Sequence, residues 1–282
     1  MLQGMRIEFV KMQGLGNDFF VFDAPVGAPG AQLGEATLRA LADRHTGVGF
    51  DQALMVEAPR DAASAAFYRI FNADGGEVEQ CGNGARCVAA LLHARSPGLG
   101  REFTLGSPGG TIRARIREGA LVSVEIGAPD FTPQSLPMIA AQADSYRLNV
   151  AGTAVEFGAV SVGNPHVVLD VADVASAPVA TLGAALGSHA QFPRHTNVGF
   201  MQIVDRQRLL LRVFERGVGE TRACGTGACA AVAVGRRRGD LDADVEVELP
   251  GGTARVSWEG PGQSLWLTGP ASIVFTGSVE VQ

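Results

Sequence analysis

The chain has 282 residues, 46% of them hydrophobic and 18% charged, with 37 Gly and 14 Pro, which argues against disorder, a collagen-like repeat and a small disulfide scaffold. Basic residues number 23 and acidic residues 29, so the net charge is −6 and no basic surface is available to neutralise phosphates at scale; nucleic acid is not an expected partner. At roughly 100–200 residues per domain the length favours two domains, with one large α/β or all-β domain as the alternative.

No run of about 18 apolar residues is available to span a bilayer. The opening Met1-Leu2-Gln3-Gly4-Met5-Arg6 lacks the apolar centre of a signal peptide. The expectation is a cytoplasmic protein without membrane contact, with Met5 as the natural start and residues 1–4 as an extension. Thiols stay reduced in that compartment, so the four cysteines read first as thiols or ligands. Lys11 is the only lysine; the other 22 basic residues are arginine, which fits a GC-rich genome. A pyridoxal phosphate enzyme would have to form its Schiff base at Lys11. The Gly-Lys-Ser/Thr of a phosphate-binding loop never occurs.

In chain order, Glu35–Asp43 reads as a surface helix and Ala66–Phe71 as a strand. A strong helix runs from Gly82 to about Arg95. Strands follow at Arg113–Ile116, Leu121–Ile126, Val155–Val162 and His166–Val171, then a surface helix at Val179–Leu186 and a strand at Leu209–Phe214. A second strong helix runs from Gly225 to about Arg238, ahead of strands at Val245–Leu249, Ala254–Trp258 and Ser264–Leu267. The strong helices are apolar nearly all round, through Ala85, Val88 and Leu91 in one and Ala228, Ala231 and Val232 in the other, which predicts buried helices. Charge gathers at their C-terminal ends, Arg95 and Arg236-Arg237-Arg238, where it suits the dipole.

The two halves repeat one another. Arg69-Ile70-Phe71, Gly76-Glu77 and Cys81-Gly82-Asn83-Gly84-Ala85 recur as Arg212-Val213-Phe214, Gly219-Glu220 and Cys224-Gly225-Thr226-Gly227-Ala228, at a constant offset of 143 residues. Gly16-Asn17 is echoed by Gly163-Asn164, and His45–Phe50 by His195–Phe200, at offsets of 147 and 150. Three matched strings in one order predict a duplicated domain and a pseudo-two-fold relation.

A cysteine just ahead of a helix N-terminus sits beside unsatisfied backbone N–H groups and the positive end of the dipole, which favours thiolate. The same N–H groups can cradle a carboxylate, and glycines allow its close approach. Two such halves facing one carbon would allow a thiolate to remove a proton on one side and a thiol to return one on the other. That inversion needs no cofactor.

Lys11-Met12-Gln13-Gly14-Leu15-Gly16-Asn17-Asp18-Phe19, Phe71-Asn72-Ala73-Asp74-Gly75, Cys81 through Cys87, Gly163-Asn164-Pro165-His166, Asn197-Val198, Glu215-Arg216-Gly217 and Cys224-Gly225-Thr226-Gly227 together resemble the diaminopimelate epimerase family, in order along the chain. The resemblance implies an α+β fold of two pseudo-symmetric domains, each a curved, mostly antiparallel β-sheet or barrel around a buried central helix. Residues 1–125 plus 271–282 would form the half carrying Cys81, residues 126–270 the half carrying Cys224, and the active site the cleft between them. It implies Cys81 and Cys224 as the acid/base pair of an isomerase acting on diaminopimelate for lysine and peptidoglycan precursors. Gly82-Asn83 and Gly225-Thr226 match the carboxylate cradle. Asn17, Gln52, Asn72, Asn164, Asn197, Glu215 and Arg216 match substrate-binding positions, and His166, with Glu215 again, matches groups that tune the cysteines or orient the ammonium. No cofactor, no metal and a homodimer are implied. Phe275 stands where the family commonly has tyrosine at a position associated with the dimer contact, and Leu105–Gly110 departs from the usual turn.

Other readings compete. Cys81 and Cys224 could form a redox pair, although neither has a Cys-x-x-Cys partner. The duplicated fold could serve a non-enzymatic amino-acid-binding protein, or a proline or 4-hydroxyproline racemase, whose single carboxylate would leave Arg216 without a partner. Cys87 and Cys229, about 240° and 140° around the helix from the preceding cysteines, read as buried apolar-like residues, and a four-cysteine zinc site is not expected. Gly225-x-Gly227-x-x-Ala230 is a weak dinucleotide fingerprint because no strand runs directly into it.

Overall fold

The structure, a computed structural model, describes residues 5–24, 33–78 and 81–281. The expected extension, residues 1–4, lies outside them. The chain divides into two units, residues 1–124 with 269–282 and residues 125–268. Both boundaries fall inside strands, Leu121–Gly127 and Leu265–Pro270.

In the first unit the strands pair in the order Ser272–Val281, Met5–Gly14, Asn17–Asp23, Gln52–Glu57, Ser64–Asn72, Glu102–Ser107, Gly110–Ile116, Leu121–Gly127. In the second the order is Tyr146–Val150, Thr153–Ser161, Pro165–Asp170, Asn197–Asp205, Arg208–Glu215, Asp244–Leu249, Gly252–Ser257, Leu265–Pro270. The third and fifth pairings are parallel in both series and all others antiparallel. A short strand, Glu77–Val78 or Gly219–Thr221, joins the fifth strand of each. The repeat seen in the sequence is thus a repeat of hydrogen-bonding topology.

Parallel steps need crossovers, and helices make them: α1 (Glu35–Ala42) and α2 (Gly82–Arg95) in the first unit, α3 (Val179–Gly187) and α4 (Gly225–Arg238) in the second. α2 touches strands from both ends of its series, Ser272–Val281 as well as Gly110–Ile116, and α4 likewise touches Thr153–Ser161 and Gly252–Ser257. Each sheet therefore curves around its own buried helix, in an α+β fold. Residues 82–89 of α2 and 227–235 of α4 are buried, as their composition requires. Arg86 is the exception in chemistry, a fully buried charge in the first of these helices. α1 and α3 cover the other sheet faces, Leu38 and Leu41 packing with Phe20, Phe22 and Phe50, and Val179 and Leu186 with Phe157 and Phe200. Among the described residues no helix is long and apolar enough to cross a membrane.

Several strands escape the sequence pattern, including Asn17–Asp23, Gln52–Glu57 and Asn197–Asp205. Phe19 and Leu54 pack beside Gly84 of α2, while Phe20, Phe22 and Met55 face the cluster under α1. A strand covered on both faces loses the alternation of a half-buried one. The echo between His45–Phe50 and His195–Phe200 is not an equivalence in the fold. Gln52 lies opposite Asn72, and the Val198–Phe214 pairing brings Asn197 opposite Glu215, so Gln52 and Asn197 are the matching positions. Residues 44–46 instead turn the chain after α1, and beyond them the Val48 and Gly49 N–H groups bond the Leu41 carbonyl at 2.9 Å.

Candidate active site

In the first unit, Leu15 and Gly16, both at positive φ (58° and 77°), close the hairpin between Met5–Gly14 and Asn17–Asp23. Two such residues make a type I′ turn, and Gly16 adopts it without strain. The turn delivers Asn17 to the start of its strand. That strand runs parallel to Gln52–Glu57, which runs antiparallel to Ser64–Asn72, so Asn17, Gln52 and Asn72 collect at one end of the sheet. Gln52 Nε2 donates to Asn72 Oδ1 at 2.9 Å. The buried Gln52 Oε1 has no partner among the described residues.

Cys81, half-buried, is the N-cap of α2, and its Sγ accepts the Gly84 N–H at 3.4 Å. It also donates to Asn17 Oδ1 at 3.9 Å, an oxygen that accepts Asn83 Nδ2 at 3.3 Å. Cys81, Asn17 and Asn83 are therefore in direct contact.

In the second unit Cys224 caps α4 in the matching place and is 4% exposed. Its thiol donates to Glu215 Oε2 at 3.0 Å and lies 3.5 Å from Thr226 Oγ1. The other Glu215 oxygen accepts the Thr221 hydroxyl. His166 Nε2 lies 3.0 Å from Asn164 Oδ1 and 3.1 Å from Thr226 Oγ1. A bond to Asn164 Oδ1 requires the proton on Nε2, which leaves Nδ1, unpartnered among the described residues, as a bare acceptor. Asn197 is spent on the protein itself, Nδ2 donating to the Pro165 carbonyl at 3.0 Å and Oδ1 accepting the Arg216 N–H at 2.9 Å. The Arg216 guanidinium donates to the Arg194 carbonyl at 3.1 Å and makes no ion pair among the described residues.

The expectation of an acidified thiol fails at Cys224. Burial, then the charge of Glu215 and the hydrogen bond to it, hold this thiol well above the ordinary cysteine range, outweighing the Thr226 and Gly227 bonds that favour thiolate. Burial also brings His166 down to about 3, helped by the charge of Arg216, so the imidazole is neutral. A neutral, buried histidine orients Asn164 and Thr226 and carries no charge to a substrate. Gly227 has no room for a side chain: a Cβ there would stand 2.9 Å from a Val213 methyl and 3.3 Å from Cys224 Sγ.

The recurring Arg and Gly-Glu pieces prove to be one ion pair made twice. Arg69 grips Glu77 with two bonds of 2.6 Å, and Arg212 grips Glu220 at 2.7 and 2.9 Å. Each pins the short strand that leads into a cysteine cap. Sequence reasoning missed Thr221, which holds Glu215, and Asp51, which accepts Asn17 Nδ2 at 3.0 Å; a hydroxyl in a three-residue strand and a carboxylate beside Gln52 give no periodic signal. None of the four cysteines is in a disulfide. Cys87 and Cys229 are fully buried, and burial raises Cys87 to about 12. Among the described residues no group of three or more His, Cys, Asp or Glu is placed to hold a metal ion.

Solved structures with this fold include a hydroxyproline epimerase from Agrobacterium vitis with bound trans-4-hydroxy-L-proline, at 16% identity and a TM-score of 0.68, covering 98% of this chain and 92% of that one. A phenazine biosynthesis protein of the PhzF family from Bacillus anthracis matches at 19% identity and a TM-score of 0.67, covering 98% and 99%. A methylitaconate-delta-isomerase matches at 13% and 0.67, covering 99% and 96%. At such identities the likeness establishes the fold alone. The family model for diaminopimelate epimerase matches residues 9–132 and 158–274, which take in both cysteine caps and every side chain placed around them. The chain belongs to the diaminopimelate epimerase family.

Proposed function

We propose that this protein interconverts LL- and meso-2,6-diaminopimelate without a cofactor, in the cytoplasm, on the route to lysine and peptidoglycan precursors. The observation that carries the reading is the pair of cysteines, each the N-cap of a buried helix at the same place in a repeated topology. One sulfur, as thiolate, takes the Cα proton: the C–H bond breaks, an S–H bond forms, and the electron pair moves into the carboxylate. The other thiol gives its proton to the opposite face, a C–H bond forms there, and that sulfur is left as thiolate, so the two exchange roles with direction. Backbone N–H groups of Gly82-Asn83 and Gly225-Thr226 hold the reacting carboxylate as charge develops on it.

Arg216 is the fork for the distant carboxylate, with Asn197 setting its backbone. Gln52 Oε1 is suited to an ammonium donor, and Asn17, Asn72 and Asn164 offer neutral contacts of either kind. Glu215 and His166 act on the Cys224 side, the first as the carboxylate to which the Cys224 thiol donates. A homodimer is part of the proposal, and it is supported by the half-exposed run Ile273-Val274-Phe275 on Ser272–Val281.

The reduced protein is incubated with LL-diaminopimelate in heavy water, and Cα deuterium and stereochemistry are followed. Deuterium at the inverted centre is expected, and Cys81→Ala or Cys224→Ala is expected to abolish it. Absence of exchange and inversion would overturn the reading, substantial epimerisation in either variant would overturn the two-thiol mechanism, and turnover of proline or 4-hydroxyproline instead would move the substrate to that class.

A further inference from the structure

Cys81 is met by an amide oxygen, and which end of the amide it meets is decided by charges at a distance. Asn17 Oδ1 receives both Cys81 Sγ and Asn83 Nδ2, while Asn17 Nδ2 donates to Asp51 Oδ2 at 3.0 Å. Asn83 Oδ1 in turn accepts Arg86 Nη2 at 2.8 Å, deep in the unit. A cation thus fixes one end of this relay and an anion the other. Turning the Asn17 amide over would set its oxygen against the Asp51 carboxylate and its NH2 against the NH2 of Asn83, two repulsions for two lost bonds.

The anion is itself held. Arg44 bonds Asp51 at 2.7 Å and Asp18 at 2.7 and 3.1 Å, and Asp51 Oδ2 also accepts the Asp18 N–H at 3.1 Å. Asp18 pairs with Lys11, the only lysine, whose buried ammonium also donates to the Gly49 carbonyl. Burial would raise the Asp18 carboxyl, but the bonds and charges of Arg44 and Lys11 prevail and bring it to about 2. Lys11 and Asp18, to which the proposed chemistry gives no role, thus support the anion that holds Asn17.

We propose that Asp51 and Arg86 are positioning residues that lock the Asn17 and Asn83 amides in one orientation, so that the Asn17 amide turns its oxygen and not its NH2 to the Cys81 sulfur, beside the Gly84 N–H that the sulfur already accepts. In the free protein the Cys81 thiol then donates to Asn17 Oδ1, and its proton passes to solvent before Cys81 serves as the base. The mechanistic use rests on Cys81 as an acid/base group, whereas the orientation itself is testable without any substrate. Among the described residues, Tyr68 and Cys87 also interact electrostatically with Cys81, and burial keeps both neutral.

The test follows the pH dependence of iodoacetamide alkylation of Cys81 in the full chain carrying Cys224→Ala, where the two remaining cysteines are buried. Asp51→Ala removes the lock at an exposed position, the amide turns an N–H towards sulfur, and the alkylation midpoint is expected to fall by about one pH unit. Loss of the Asp51 charge alone would also lower it, so the decisive arm is Asn17→Ala with and without Asp51→Ala. With no amide to turn, most of the shift is expected to vanish. A full shift persisting in the Asn17→Ala background would show a simple charge effect and overturn the proposal, as would an unmoved midpoint in Asp51→Ala. Arg86→Met, which removes the donor to Asn83, is expected to lower the midpoint although loss of a cation alone would raise it; an unmoved or raised midpoint would remove Arg86 from the lock. If the midpoints behave as expected but diaminopimelate is not epimerised, the relay stands and the functional reading falls.

Discussion

Around Cys224 the partner of the sulfur is a carboxylate, Glu215, at 3.0 Å; around Cys81, in the same place of the other unit, it is the carbonyl oxygen of Asn17 at 3.9 Å. The backbones agree down to the sense of every strand pairing, and the Arg69–Glu77 pair recurs as Arg212–Glu220. What differs is the set of side chains governing protonation. Asn72 answers to Glu215, Gln52 to Asn197 and, through the parallel pairings, Phe19 to His166. The duplicated frame preserves the cap, while the electrostatics of each sulfur are free to diverge. In the proposed mechanism the pair exchanges opposite protonation states over one reaction cycle, which would give that freedom a use.

The largest effect is expected of Glu215→Gln. Removing the charge that helps hold Cys224 protonated is expected to move its alkylation, in a Cys81→Ala background, to lower pH, and to reduce kcat/KM for epimerisation by about 10²–10³-fold. An unmoved alkylation profile would mean that burial alone sets this thiol. Gly227→Ala presses a methyl against Val213 and the Cys224 sulfur and is expected to cost about 1–3 kcal/mol in urea unfolding. Gly84→Ala should cost less, because its nearest contact, at 3.0 Å, is the end of the Leu54 side chain, which can rotate. Equal costs would show that the two caps are equally rigid.

Acid should also separate the units. His166 has a folded pKa of about 3 against about 6.5 unfolded, so the stability it contributes is present above pH 6.5 and is lost as pH falls towards 3, at a limiting rate of about 1.4 kcal/mol per pH unit. The corresponding loss from Asp18, depressed to about 2, is confined to the range from about pH 4 down to 2. Both tryptophans, Trp258 and Trp266, lie in the second unit. Urea titrations read by their fluorescence at pH 7 and pH 5.5 should show the drop, and His166→Gln should abolish it; a drop that survives would belong to another group. The smallest effects belong to the shared ion pairs. Glu77→Gln and Glu220→Gln are each expected to cost no more than about 1 kcal/mol, since these partners are partly exposed. A much larger loss at Glu220 alone would show that the carbonyls of Val174 and Ala175, also held by Arg212, depend on the pair.

Much of this molecule was legible in its residues. The all-round apolar stretches of α2 and α4 required burial, and Cys-Gly-x-Gly marked where each begins, because local composition decides whether a helix can have a solvent face. The 143-residue repeat likewise announced the duplicated topology. Strands such as Gln52–Glu57 and Asn197–Asp205 were hidden because helices cover both of their faces, and alternation, the usual mark of a strand, needs one wet face.

The protonation of the sulfurs lay further beyond reach. A helix N-terminus predicts an acidic thiol, yet the Cys224 thiol is raised by loss of water and then by a carboxylate nine residues earlier in the chain, brought to it by a strand end. Asn17, Asp51, Asn83 and Arg86 are scattered over seventy positions, and their shared orientation exists only once the sheet register and the buried helix set them side by side. Patterning and caps are encoded locally, in neighbours along the chain. A pKa or an amide flip is the sum of contacts among residues distant in sequence, and only the packed fold defines those contacts.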